Sequence, residues 1–499
     1  MTNRKNFGTF VPLNQKNFIM KLLDAMRTKD SLTENGMVTN STSLNMCVDL
    51  FFQIGAMRGQ NKNRLINVFV KAFSENALTA MKLLFWARDI RGGAGERQIF
   101  KDIMSYLAVN RTESMRKNLH LVSEFGRWDD LLVLFDTPLE NDALELIAKG
   151  LKDKNGLAAK WMPRPNNKNV EVKKQANKIR QFLGLTPKDY RKLLVENSNT
   201  VEQLMCAKQW SAIDYSKLPS KAMSDLMKAF SKNDKDRFSA YITSLEKGEE
   251  GVKINAGALY PYDIVKNVRN GNARGADAQW LALPNFLEGS AERFIPIVDT
   301  SGSMFWPESQ VSGDLYAGHI AQSLGLYIAE RNEGPFKDAF ITFNTVPELV
   351  VVKGSLSERL NQVNSLRVSG NTNLQNVYEL LLSQAKKHNV PESEMPTMLI
   401  IFSDMEFNSG VRGYNNNTAQ EMLEKMYTEA GYTIPKVVYW NLASRNDKNK
   451  PVKFDKNGTA LVSGFSPSLL SSLLGGKDMS PYSMMMTVID SPRYSLVTV

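Results

Sequence analysis

The hydrophobic period of this chain changes once, near residue 290, and that change limits which folds are open to it. Before it, apolar residues recur at helical spacing: Met46, Leu50, Phe51 and Ile54; Leu65, Val68, Phe69 and Phe73; Leu78, Met81, Leu84 and Phe85; Ile99, Ile103 and Leu107. Thr186, Pro187 and Asp189 mark one helix start by cap, first-turn proline and first-turn acid. After it, short buried runs are expected as strands at Phe294–Val298, Ala339–Phe343, Glu348–Val352, Met398–Phe402, Val437–Asn441 and Ala460–Val462. Helical segments at 313–332, 373–388, 417–430 and 466–474 lie between most of them. Strands alternating with helices predict a parallel, doubly wound sheet, which binds ligands at the strands' carboxyl ends where strand order reverses. A chain of 499 residues is too long for one ordinary domain. The expected architecture is therefore multidomain: an N-terminal extension at 1–34, an all-α helical-repeat module at 35–285, and an α/β doubly wound domain at 290–499. The polar stretch 154–178 reads as a loop. The Gly/Asn-rich passage 265–290, which includes Asn272, reads as the boundary.

The first strand of the second half, Phe294-Ile-Pro-Ile-Val, runs into Asp299-Thr-Ser301-Gly-Ser303. A strand end exposes its last side chain at the sheet rim, and the turn aims two hydroxyls at the same point. Ser369-Gly-Asn-Thr372 forms a polar loop before a helix and adds a third hydroxyl. Leu399-Ile-Ile-Phe402 then leads to Ser403-Asp404, a second carboxylate at a strand end. Asp299, Ser301, Ser303, Thr372 and Asp404 are hard oxygen ligands that suit Mg²⁺ or another hard divalent cation. This set, Asp-x-Ser-x-Ser with Thr and Asp elements in that order, resembles the metal-ion-dependent adhesion site of von Willebrand A domains over about 200 residues. The resemblance implies a Rossmann-like domain, with one coordination position left open for a partner's carboxylate.

No enzymatic chemistry is marked, and the chain is not expected to be an enzyme. Ser301 stands where an Asp-x-Asp phosphatase pair needs an acid, and a Gly-x-Ser-x-Gly elbow is missing. The three histidines, His120, His319 and His388, do not pair at zinc spacing. Cys47 and Cys206 both fall in apolar helical patterns and are expected in the core of a protein from a reducing cytoplasm. No apolar run reaches the length of a membrane span, and Met1 to Met20 does not read as a secretory signal. The tail 475–499 suggests no function.

The net charge of +10 is concentrated in residues 151–240, which hold 19 Lys and Arg against 9 Asp and Glu. Such an excess suits a polyanion, although a solvated basic face is the alternative. Lys160, Arg164, Lys173, Lys174, Lys178, Arg180, Lys188 and Arg191 are the candidate contacts, with Trp161, Phe182 and Tyr190 as bases' stacking partners. Two further passages, Arg88-Asp-Ile-Arg91-Gly-Gly-Ala-Gly-Glu96-Arg97 and Glu124-Phe-Gly-Arg127-Trp128-Asp-Asp, read as a tight turn stapled by arginine–acid pairs and as a capped helix start.

A helical half with these passages, followed by an adhesion-type metal motif, resembles the Ro-type ribonucleoprotein architecture of a TROVE module and a von Willebrand A domain. Arg88–Arg97, Phe125–Leu132, Ala159–Trp161, Met205–Tyr215 and Asn255–Tyr260 also resemble a largely uncharacterised Ro-like family of plants, fungi and phages. The resemblance implies HEAT-like, TROVE-like repeats that bind single-stranded, misfolded or small non-coding RNA, and an A domain that holds Mg²⁺ and takes an acidic protein ligand. Lys178–Lys192 resembles the basic Ro segment, but Pro187 stands where that family often has a His, a departure that bears on base-specific contact and leaves the phosphate contacts as expected. A metal-dependent protein-interaction adaptor without nucleic acid is the alternative, and a Mg²⁺-dependent nuclease a third.

Overall fold

The computed structural model describes residues 29–198, 200–271, 273–366, 370–474 and 479–499. Met1 to Met20, Asn272, Ser369 and the first residues of the tail lie outside the described residues. The chain divides into a helical first half and a second half built on a mixed six-stranded sheet.

The sheet strands are β1 (Phe294–Asp299), β2 (Ala339–Phe343), β3 (Leu349–Val351), β4 (Met398–Ser403), β5 (Lys436–Asn441) and β6 (Thr459–Ser463), in spatial order β6-β5-β4-β1-β2-β3. β3 is antiparallel to β2, and the other pairings are parallel. Each expected strand is present within a residue or so of its bounds. β1 and β4 are buried at every position, as strands covered on both faces must be. The chain leaves β1 toward β2 on one side, whereas β4 lies on the other, so strand order reverses between β1 and β4. Helices Ala317–Arg331, Leu374–Lys387 and Ala419–Ala430 flank the sheet. The first begins four residues later than its expected start, because Gln310–Ser312 and Leu315–Tyr316 form a small antiparallel hairpin first.

In the first half, α1 (Met46–Ile54), α2 (Lys62–Glu75), α3 (Ala77–Arg88) and α4 (Arg97–Asn110) bury the predicted apolar stripes, although Leu78 is exposed. The expected loop 154–178 contains helices Gly156–Trp161 and α5 (Val170–Phe182). The asparagines that suggested a loop are caps: Asn155 accepts from the amides of Leu157 and Ala158, and Asn169 from those of Glu171 and Val172. The boundary passage likewise holds helices Pro261–Arg269 and Ala273–Leu281. Cys47 is buried as expected, but Cys206 is exposed. In the short helix Val201–Cys206, Val201, Leu204 and Met205 share the face that meets a small separate core around Tyr215, Met227 and Phe230, and Cys206 lies off that face.

One large hydrophobic core runs from the first helices into the sheet, so the two halves pack as one body. The closest approach is backbone against backbone: a Cβ on Gly55 would stand 2.6 Å from the Ser463 carbonyl oxygen and 2.7 Å from Gly464. The Ser463 hydroxyl accepts from Gly55 N and donates to Phe51 O. Gly55→Ala is expected to destabilise the protein by about 1–3 kcal/mol through overpacking, read as a lower urea midpoint. The tail returns to the helical half, where Arg493 and Tyr494 bond Asp89 and the Asn118 amide donates to Thr498 O.

Candidate metal centre

The three loops that leave β1, β4 and the Thr372 segment meet where strand order reverses. Asp299 is the last residue of β1, and Val298 pairs with Phe402 of β4, which brings Asp299 beside Ser403. The Ser403 hydroxyl donates to Asp299 Oδ2 at 2.5 Å, and the Ser301 amide donates to Oδ1 at 2.9 Å. The turn after Asp299 brings the Ser301 and Ser303 hydroxyls to 3.1 Å from one another. Gly370, at φ 91, lets the Thr372 loop lie against Thr345, where a Cβ would meet the threonine hydroxyl at 2.1 Å. Asn371 N and the Asn376 side chain fasten the loop to the same threonine.

All five predicted ligands are buried: Asp299, Ser301, Ser303, Thr372 and Asp404 are at most 8% exposed. Burial, and then the charge of nearby Asp404, push the Asp299 carboxyl up to about 7. Two neighbouring carboxylates out of water are an unfavourable arrangement unless positive charge offsets them, and the Arg445 guanidinium offsets that of Asp404 alone, by a bond of 2.8 Å. Hydroxyls alongside carboxylates supply the oxygen-only surroundings that hard divalent ions take. The residues therefore fit a hard divalent cation: Asp299, Ser301, Ser303, Thr372 and Asp404 would hold it. Among the described residues no group of three or more His, Cys, Asp or Glu is placed to bind a metal.

The sequence reading missed five neighbours of this site. Met405 adopts the left-handed conformation (φ 67), which turns the buried Glu406 back so that its amide donates to Asp404 Oδ1 at 3.1 Å. Burial, with the charges of Asp404 and Glu34 adding to it, pushes Glu406 up to about 7. Arg445, on the loop after β5, donates from Nη2 to Asp404 Oδ2 at 2.8 Å. Glu34 and Asn35 arrive from the other end of the chain, and Ser403 completes the set. The Asp404-Met-Glu406 spacing and the position of Arg445 after the next strand were signals visible in the sequence. Nothing local in sequence connects residues 34 and 35 to this rim. His319 accepts from the Tyr316 amide and packs on Phe305 and Tyr316; burial pulls it down to about 4, so it is a neutral helix cap.

The basic candidates fall on a neighbouring pair of helices, α5 and α6 (Pro187–Asn197), on the short helix Gly156–Trp161, which carries Lys160, and on the turn after it, which carries Arg164. Lys173, Lys188 and Arg191 are exposed. Lys160 pairs with Glu202, Lys174 with Asp136, and Lys178 with Asp136 and Glu140. Arg164 is half-buried, and Arg180 bonds Asn177 and Leu185 O. Of the aromatic residues, Phe182 is exposed and Tyr190 buried, with its hydroxyl on Pro163 O. Trp161 lies under the Arg127 guanidinium, 3.5 Å from the ring centroid.

A family model described as a domain of unknown function (DUF2828) matches residues 33–144 and 143–290. A second, also a domain of unknown function (DUF7788), matches residues 293–490 and so covers the sheet half and its metal candidates. An uncharacterized protein of Acanthamoeba polyphaga mimivirus is 30% identical over 516 residues, which cover 92% of this chain and 87% of the viral protein. The matched ranges divide at residues 290–293, where the helical half gives way to β1, and the chain belongs to the DUF2828 family, with a DUF7788 domain carrying the candidate metal centre.

Proposed function

We propose that the chain is a Ro-like RNA-binding protein: a TROVE-like helical module that grips RNA through Lys and Arg, joined to a von Willebrand A-type domain that binds Mg²⁺ or another hard divalent cation. The observation that carries the metal half is that two buried carboxylates lie beside the Ser301 and Ser303 hydroxyls at the point where strand order reverses, with the buried Thr372 loop tied to the loop after β4 by Asn408 N on Thr372 O. Bound there, the cation supplies charge compensation and a position for an acidic ligand. The reading assigns no catalytic residue.

The RNA half rests on the exposed cations Lys173, Lys188 and Arg191 on α5 and α6, within the segment that carries the charge excess. Binding of single-stranded RNA should weaken steeply with salt, and the triple variant Lys173→Glu, Lys188→Glu, Arg191→Glu should reduce the slope of log affinity against log salt by about 0.7 for each phosphate that is no longer neutralised. Filter binding between low and moderate salt measures it. An affinity that does not change with salt removes the RNA reading.

A second reading is favoured by the ion pairs of Lys160, Lys174 and Lys178, which neutralise part of the positive face with the protein's own acids. In it the chain is a metal-dependent protein adaptor, and the helical half is a scaffold. Nuclease-sensitive absorbance at 260 nm on the purified protein separates the two: its presence supports RNA, and its absence together with salt-independent behaviour supports the adaptor.

A further inference from the structure

The arginines and acids that staple the Arg88–Arg97 turn leave positive charge over. Asp130 accepts from Arg88 Nε at 2.8 Å and from Arg97 Nε at 2.7 Å. Asp129 accepts from Arg97 Nη2 at 2.6 Å and from Arg127 Nε and Nη2 at 2.9 and 2.5 Å. Lys101, one turn after Arg97 on α4, lies beside the same group, and its amine has no bonded partner among the described residues. Arg88, Arg97, Lys101 and Arg127 thus share the carboxylates of Asp129 and Asp130. Among the described residues, Arg97 Nη1 and Arg127 Nη1 are also left without an acceptor.

Such a surplus is unfavourable in a set whose only task is structural. Burial, and then the charge of Arg97, pull the Lys101 amine below the usual lysine range. Helix α4 opens on a cation with no acid in its first turn, the reverse of what the helix dipole favours. An anion that the chain does not supply would offset both. The cluster is open to one: the side chains of Arg97 and Arg127 are 36% and 32% exposed, and Lys101 is half-buried. Arginine forks and an ammonium are the donors that phosphate oxygens take. The Arg127 guanidinium is stacked on the Trp161 ring, and Lys160 Nζ lies 5.3 Å from the same ring. The cluster therefore continues the basic face that begins at Lys160.

We propose that Arg97, Lys101 and Arg127 form a phosphate seat on the helical half, filled by a backbone phosphate of single-stranded RNA. The inference rests on the RNA reading and gives it a second point of contact, on elements other than α5 and α6. Asp129 orients both guanidinia and leaves their Nη1 nitrogens to the phosphate. Lys101 supplies the charge that no acid of the chain neutralises.

The test uses the full chain and a single-stranded RNA oligonucleotide, in filter binding over a salt series. Lys101→Gln should bind about fivefold more weakly or worse at low salt, and its slope of log affinity against log salt should fall by about 0.7, the share of one phosphate. Its urea midpoint should equal or exceed that of the wild type, because the variant loses a cation repelled by Arg97 and no bonded pair. A lysine with a structural role would lower the midpoint and leave RNA affinity intact. Lys387→Gln makes the same charge change on an exposed helix end of the sheet half and should bind as the wild type does. Wild-type affinity and slope in Lys101→Gln, with both reduced in the triple variant at Lys173, Lys188 and Arg191, overturn the seat and leave the RNA reading standing. Equal weakening by Lys387→Gln also overturns the seat, since net charge alone then accounts for the loss. A wild-type affinity that ignores salt overturns the RNA reading and the seat together. A phosphoserine peptide that binds through Lys101 more tightly than the RNA does overturns RNA as the occupant.

Discussion

Asp299→Asn should abolish the thermal response of the protein to Mg²⁺ without lowering its stability in metal-free buffer. The wild-type chain, with Mg²⁺ at a hundred times its dissociation constant, should gain about 2.7 kcal/mol, because the ion binds the native state alone. The variant should gain nothing. The second half of the result discriminates. Asp299 is fully buried beside Asp404, and both its burial and that neighbour's charge disfavour the carboxylate. Replacing it with a neutral amide of the same shape removes that cost, so the metal-free variant should unfold at or above the wild-type temperature. An ordinary structural aspartate would behave in the opposite way: its loss would lower the midpoint and leave the Mg²⁺ response intact. Differential scanning fluorimetry with a Mg²⁺ series on both proteins reads both quantities. A wild-type response in the variant rejects the assignment.

Asp130→Ala should cost about 3–5 kcal/mol, the loss expected when one partner of a buried ion pair is removed. Asp130 is fully buried and gathers three donors: Arg88 Nε at 2.8 Å, Arg97 Nε at 2.7 Å and the Arg127 amide at 3.0 Å. The Arg88 side chain is only 5% exposed, so no solvent takes the carboxylate's place. Alanine would leave that guanidinium buried without its acceptor. Urea unfolding should show the lower midpoint. The double variant Arg88→Met, Asp130→Leu should recover most of the loss, since an apolar pair of similar size has no charge to compensate. A single-variant cost below about 1 kcal/mol would mean that the passage is held by its glycine turn and not by the pair.

The sites of these two predictions were legible to different degrees. For the candidate metal centre, the positions of both aspartates were legible, because β1 is an apolar run that ends on Asp299 and Asp404 follows β4 directly, and a strand's end must lie at the sheet rim. For the basic passage, the sequence identified the cations but not their partners. Lys174 and Lys178 are 38 and 42 residues from Asp136, and only the packing of α5 on the preceding helices brings them together. The loop expected at 154–178 failed for a related reason: asparagine serves turns and helix caps alike, and the choice depends on whether the next residues find a surface to bury against. Cys206 failed because a six-residue helix shows too few turns to define its inward face.

Sequence alone determined the alternation of strands and helices after residue 290, the helical character before it, and the places of the two strand-end aspartates, since period and strand-end chemistry are local properties. Tertiary structure decided what surrounds those aspartates. The hairpin at residues 31–39, Arg445 and Glu406 reach the rim through contacts up to 411 residues apart, as between Glu34 and Arg445, and no local pattern encodes a meeting that depends on how the two halves share one core.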